Sequence, residues 1–152
     1  MKIPLEWLGE YVDLSGLSAR EIADRLTFSG LEIEAVEPVG YRAKGVVVGE
    51  VLEVRPHPSA DRLRLAVVNA GGASPVTVVC GAPNVRPGLK APFAPVGSQL
   101  ANGTTLQPAT IRGVRSEGML CAEDELGLSD DHTGLLELPA EARPGESLER
   151  YV

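Results

Sequence analysis

From residue 45 onward the sequence breaks into short apolar runs separated by glycine and proline, and this punctuation constrains the fold more than any single residue does. The runs are GVVVGEVLEV (45–54), RLRLAVVNA (62–70), VTVVCG (76–81), APFAPVGSQL (91–100), ATIRGVRS (109–116) and GLLELP (134–139). Turn-forming residues lie between them, as in RPHPSAD (55–61), where Pro56 and Pro58 fix φ and are expected to break a ladder. Short strands bounded by turn signals read as an all-β barrel or sandwich.

In the first run, Gly49 stands where a bulge or a sharp barrel bend would help. In the second, Arg62 and Arg64 alternate with Leu63 and Leu65, which sends both arginines to one face. VTVVCG predicts a third strand, the proline-broken APFAPVGSQL a fourth and ATIRGVRS a fifth; DELGL (124–128) predicts one helical turn and GLLELP a last short strand. Five strands curled on themselves, with a short helix near the barrel's end, suggest the partly open oligonucleotide-binding barrel, the OB-fold, although strand count alone also fits an SH3-like barrel.

The first forty residues follow a different rule. Leu5, Leu8, Tyr11 and Val12 recur at helical spacing, and Ser18 with Glu21 has the spacing of a capping box ahead of a helix over Ala19 to Ser29, with Gly30 to end it. LEIEAVE (31–37) alternates apolar and acidic residues and predicts a half-buried strand. The expected architecture is therefore α+β: a small helix-helix-strand cap at 1–40, followed by a five-stranded OB-fold barrel at 41–152.

A chain of 152 residues with only Cys80 and Cys121 is no disulfide scaffold, and it shows neither a signal peptide nor an apolar run of membrane-spanning length. A cytoplasmic protein without membrane contact is expected. The net charge of −7 taken alone argues against a polyanionic partner, but the charge is unevenly placed: residues 1–40 carry −5, residues 41–118 carry +5 and residues 119–152 carry −7.

His57, Cys80, Cys121 and His132 are the only imidazole and thiol groups, and successive gaps of 23, 41 and 11 residues contain no short chelating pair, so no metal site is expected. Cys121 is followed by Glu123, Asp124 and Glu125, which oppose a thiolate; the three carboxylates suit the first turn of a helix instead. Neither a phosphate-gripping glycine loop nor a catalytic triad is readable, so no catalytic residue is expected. His57 and Asp61 read as a turn lock. What remains is the basic set Lys44, Arg62, Arg64, Arg86, Lys90, Arg112 and Arg115, which reads either as a phosphate-contacting surface or as a solvated face. Aromatics are nearly absent from the barrel, with Tyr41 at its entrance and Phe93 in the fourth strand, so base stacking is expected to be weak and recognition to go by backbone shape and charge.

HPSADRL (57–63), VVCGAPNV (78–85) and RGVRSEGMLCAEDELGL (112–128), in this order and spacing, resemble the barrel-type tRNA-binding domain. The leader IPLEWLGEYVDL with EIADRLTFSGLEIEAVEPV, and the exit LSDDHTGLLELPAEARPGESLERYV, narrow the resemblance to the N-terminal part of the bacterial phenylalanyl-tRNA synthetase beta-subunit family. That resemblance implies a tRNA-binding fragment, itself non-catalytic, of a longer subunit that continues past Val152 into further domains. From the basic set, Arg62, Arg64, Lys90, Arg112 and Arg115 are the expected phosphate contacts, with Ser116 as a hydroxyl donor. The partners implied are tRNA-Phe, the alpha subunit in an alpha-beta heterotetramer, and the remaining beta-subunit domains; ATP and Mg2+ are implied for the assembled ligase and neither for this fragment. The alternatives are a structural or subunit-interaction module and a freestanding tRNA-binding protein.

Overall fold

The capping box forms as the spacing predicts: Ser18 Oγ accepts the Glu21 N–H at 3.2 Å and Glu21 Oε2 accepts the Ser18 N–H at 2.8 Å, satisfying two donors that a helix start otherwise leaves open. The helix runs Ala19–Phe28 (α2) after a shorter one at Leu5–Gly9 (α1). The computed structural model describes residues 1–38 and 40–152 and divides into two compact units, of which Met1–Pro38 is the first. The strand expected over LEIEAVE is absent: these residues run without a ladder. Alternation alone does not make a strand, because a strand needs a neighbour to take its backbone hydrogen bonds.

In the second unit the strands are β1 (Val47–His57), β2 (Ala60–Asn69), β3 (Val76–Cys80), β4 (Lys90–Pro95), β5 (Ala109–Ile111), β6 (Val114–Ser116) and β7 (Gly118–Leu120), followed by the short helix α3 (Glu123–Leu126). The main sheet has the order β3-β2-β1-β4-β7, with every pairing antiparallel. Its two edges meet where the Val79 N–H bonds Ser116 Oγ (3.1 Å) and the Glu117 N–H bonds the Thr77 carbonyl (3.1 Å). The result is a nearly closed five-stranded barrel of the OB type. Its interior is lined by Val51, Val68, Val78, Ala91, Phe93 and Leu120. A second apolar cluster, around Cys121, Leu126 and Leu148, plugs the barrel's other side.

Four local expectations are corrected. ATIRGVRS is not one strand but the β5–β6 hairpin, because Arg112 (φ 52) and Gly113 (φ 85) both take left-handed backbone, the requirement of a two-residue type I′ turn. Gly49 sits in regular β1–β4 pairing, opposite Ala91. A Cβ there would lie 2.8 Å from Phe93 Cβ, so the glycine permits close packing, while the register shifts of β1 fall between Val51 and Glu53 and between Pro56 and His57. The β1–β2 ladder is shifted rather than ended at the prolines: Pro56 pairs with Arg64 and, after a register shift, His57 with Ala60. GLLELP forms no strand; single bonds from the Leu136 N–H to the Cys121 carbonyl (3.2 Å) and from the Leu138 N–H to the Lys90 carbonyl (2.8 Å) hold it against the barrel.

Ser116, 4% exposed, accepts from Val79 and donates to the Gly118 carbonyl (3.0 Å). Removing the hydroxyl leaves a buried N–H without a partner, so Ser116→Ala is expected to cost about 1–3 kcal/mol, read as a lower urea midpoint at unchanged slope.

Candidate nucleic-acid interface

The β1–β2 and β5–β6 hairpins are tied together by one imidazole. His57, 6% exposed, accepts the Ser59 N–H at Nδ1 (3.0 Å), so its ring proton belongs on Nε2, which donates to the Ile111 carbonyl (3.0 Å). The turn lock expected at His57 is thus built by the ring, and it reaches 54 residues along the chain to the residue that opens the Arg112–Gly113 turn. In OB-folds the β1–β2 loop and the loop between the last two barrel strands flank the oligonucleotide-binding face; here these are the two segments that His57 joins.

Arg62 and Arg64 lie on β2 next to this junction, both exposed. Arg64 pairs with Cys80 at the start of the β2–β3 ladder, whereas Arg62 lies in the stretch of β2 where the register against β1 shifts, between the pairs His57–Ala60 and Pro56–Arg64. Arg112 occupies the tip of the β5–β6 hairpin and Arg115 pairs with Thr110 on its second strand, so the two do not lie along one strand face. Among the described residues Arg62, Arg64 and Arg112 form no ion pair, and Arg115 has only a loose, exposed one with Glu117 at 4.0 Å. Uncommitted guanidinium groups are what a phosphate backbone needs.

Two of the expected contact residues are placed differently. Lys90 pairs with Glu50 on β1 and sends its ammonium to the Ala140 carbonyl; Glu50 and His57 are separated by seven residues of strand, about 23 Å at roughly 3.3 Å per residue, so Lys90 belongs to the other end of β1. Ser116 is buried and spends its hydroxyl on closing the barrel, which leaves no donor for RNA. Arg86, in the same basic set, forms a two-pronged pair with Glu137 (2.9 Å on each prong). That guanidinium, helped by Asn84, holds the Glu137 carboxyl down at about 2. His57 is the residue whose reach the sequence did not show, because nothing local to HPSAD points to Ile111.

The two thiols are core groups. Cys121 is fully buried and Cys80 nearly so. Burial, and then the Glu125 carboxylate, push the Cys121 thiol well above its usual range, and burial raises that of Cys80. Both are therefore expected to resist an alkylating reagent in the folded chain at neutral pH and to react stoichiometrically once it is unfolded in urea. Rapid labelling of Cys121 in the native state would contradict the plug.

A family described as a putative tRNA binding domain matches residues 46–147, the span of the barrel. The chain belongs to that family. Over its whole length of 152 residues it is 47% identical to the phenylalanine–tRNA ligase beta subunit of Dickeya dadantii, covering 19% of that relative. It is also 47% identical over 148 residues, or 97% of this chain and 18% of the relative, to the beta subunit of Bordetella parapertussis. The chain thus spans about a fifth of the length of these curated relatives. A solved structure, the MetRS related protein from Pyrococcus horikoshii, superposes with a TM-score of 0.48 at 23% identity, over 66% of this chain and 85% of that one.

Proposed function

We propose that this chain is the N-terminal tRNA-binding portion of a phenylalanine–tRNA ligase beta subunit and that it holds tRNA-Phe through phosphate contacts, without catalysis of its own. The observation that supports this most is the His57–Ile111 bond, which sets Arg112 beside the hairpin bearing Arg62 and Arg64. The contact set proposed is Arg62, Arg64, Arg112 and Arg115. In the assembled enzyme, an alpha-beta heterotetramer, the barrel would present tRNA while the alpha subunit joins phenylalanine to it at the expense of ATP. ATP and Mg2+ are proposed for that assembly and not for this chain; among the described residues no three His, Cys, Asp or Glu side chains converge into a metal-holding group. No helix of the described residues is long and apolar enough to cross a membrane, and a cytoplasmic setting is proposed with the rest.

A filter-binding titration of the chain with tRNA at low salt, beside a pull-down with the alpha subunit, tests this reading. Saturable tRNA binding supports it. Capture of the alpha subunit with no tRNA binding would favour a subunit-interaction module instead.

The tie makes a further expectation. His57→Phe keeps the bulk and removes both ring bonds, so it should weaken tRNA binding about as much as Arg112→Ala does. The double variant should then be weaker than either single change by no more than about 0.5 kcal/mol. Effects that add in full would mean that His57 does not act through Arg112.

A further inference from the structure

A half-open cavity of about 370 Å³ lies where the end of β3, β7, α3 and the segment 132–135 come together, bounded by Cys80, Pro83, Met119, Leu120, Glu125 and His132. Its size falls within the roughly 300–1,000 Å³ of small-molecule sites. The floor is apolar and buried at Cys80 and Leu120. One strong acceptor is built into the wall. Glu125 is half-buried, and its Oε2 accepts the Ala122 N–H at 2.7 Å. Its Oε1 has no protein partner, and since no buried side-chain oxygen among the described residues lacks one, Oε1 is accessible to solvent, in a side chain that lines the cavity. His132 stands at the exposed rim, its Nδ1 beside the Asp130 carbonyl (3.2 Å). Arg64 pairs with Cys80 across the β2–β3 ladder, on the strand next to this lining residue.

A cavity with a partly apolar floor, a carboxylate in its wall, an imidazole at its rim and an arginine on the neighbouring strand matches a nucleotide, which offers a flat ring, an N–H edge and a phosphate. The acceptor decides which base. An ionised carboxylate only accepts hydrogen bonds. The pairing edges of adenine and cytosine set an amino donor beside an acceptor nitrogen, and that of uracil sets one N–H between two carbonyls. Guanine alone presents two adjacent donors, N1–H and N2–H2. We infer that this cavity receives one unstacked guanine of the bound RNA, its N1–H and N2–H2 donating to Glu125 with the adjoining phosphate beside Arg64, an inference that rests on tRNA binding by the barrel. A barrel with few aromatic platforms thereby reads a base by its edge, a mode that suits RNA with splayed-out nucleotides. Burial raises the Glu125 carboxyl above its ordinary range against the Ala122 N–H, with Asp124 adding to the rise, and a partner bringing two donors favours the ionised form.

The test is a titration of the isotope-labelled 152-residue chain with 5′-GMP, 5′-AMP, 5′-CMP and 5′-UMP at low salt, followed by amide NMR. GMP is expected to shift Gly81, Glu125 and Gly134 saturably, at concentrations about tenfold or more below those the other three require, as a bidentate pair contributes. Glu125→Gln, which keeps an acceptor for the Ala122 N–H, should bring GMP to the level of AMP without moving the unfolding midpoint. The comparison of four nucleotides on the unaltered chain stands whatever the variant does. Equal response to all four, or none at these residues, overturns the guanine site while salt-dependent tRNA binding leaves the parent reading intact. A chain that binds no tRNA at all overturns both.

Discussion

Gly118→Ala is expected to destabilise the chain by about 3–5 kcal/mol, a large part of the roughly 5–15 kcal/mol of a typical domain. Gly118 has φ 154, outside the comfortable range of a residue with a Cβ, and an added Cβ would lie 2.5 Å from Phe93 Cε2 and 2.8 Å from the Ala94 carbonyl oxygen. Backbone strain contributes about 1–3 kcal/mol and overpacking a further ~1–3 kcal/mol. Phe93 is itself 2% exposed in the main core and pairs with Leu120 across the β4–β7 ladder, so neither partner has room to move. Urea unfolding measures the effect. A variant within about 1 kcal/mol of the parent would show that β7 does not lie on Phe93 as described.

This glycine links the two halves of RGVRSEGMLCAEDELGL. Before it, Arg112 and Arg115 belong to an exposed hairpin; after it, Leu120 and Cys121 enter the two apolar clusters. The burial of the thiols was legible, because VTVVC is an apolar run and the carboxylates after Cys121 oppose a thiolate. The capping box was legible too, since it depends on residues three apart.

The hairpin itself was hidden. A two-residue type I′ turn usually announces itself with Asn-Gly or Asp-Gly, whereas here an arginine takes the first left-handed position, an uncommon choice for a residue with a long side chain. With the turn unmarked, ATIRGVRS read as a single strand. The placement of Lys90 and Ser116 was hidden for another reason: it depends on Ala140 and Val79, partners 50 and 37 residues away, and no local pattern encodes such pairings. LEIEAVE had the period of a strand without a neighbour to complete it.

The largest functional effect is expected from removing Arg62, Arg64 and Arg112 together. These guanidinium groups are exposed and, among the described residues, have no carboxylate partner, so their removal should disturb the fold little while taking away three phosphate-binding groups. Taking about 1 kcal/mol for each exposed charge pair, affinity for tRNA should fall on the order of a hundredfold. Arg86→Ala is the control. That guanidinium is held by Glu137, and its removal should leave binding within about twofold of the parent.

The most direct measurement is the salt dependence of tRNA binding by the parent chain and by the triple variant. If phosphate contact by these residues is what holds the RNA, log Kobs falls linearly with log salt in the parent. The slope of the triple variant is then shallower by about 2–3, at roughly 0.9 for each phosphate no longer neutralised. A parent chain whose tRNA affinity ignores salt, or a triple variant that keeps the parent's slope, would contradict the assignment of this face to RNA.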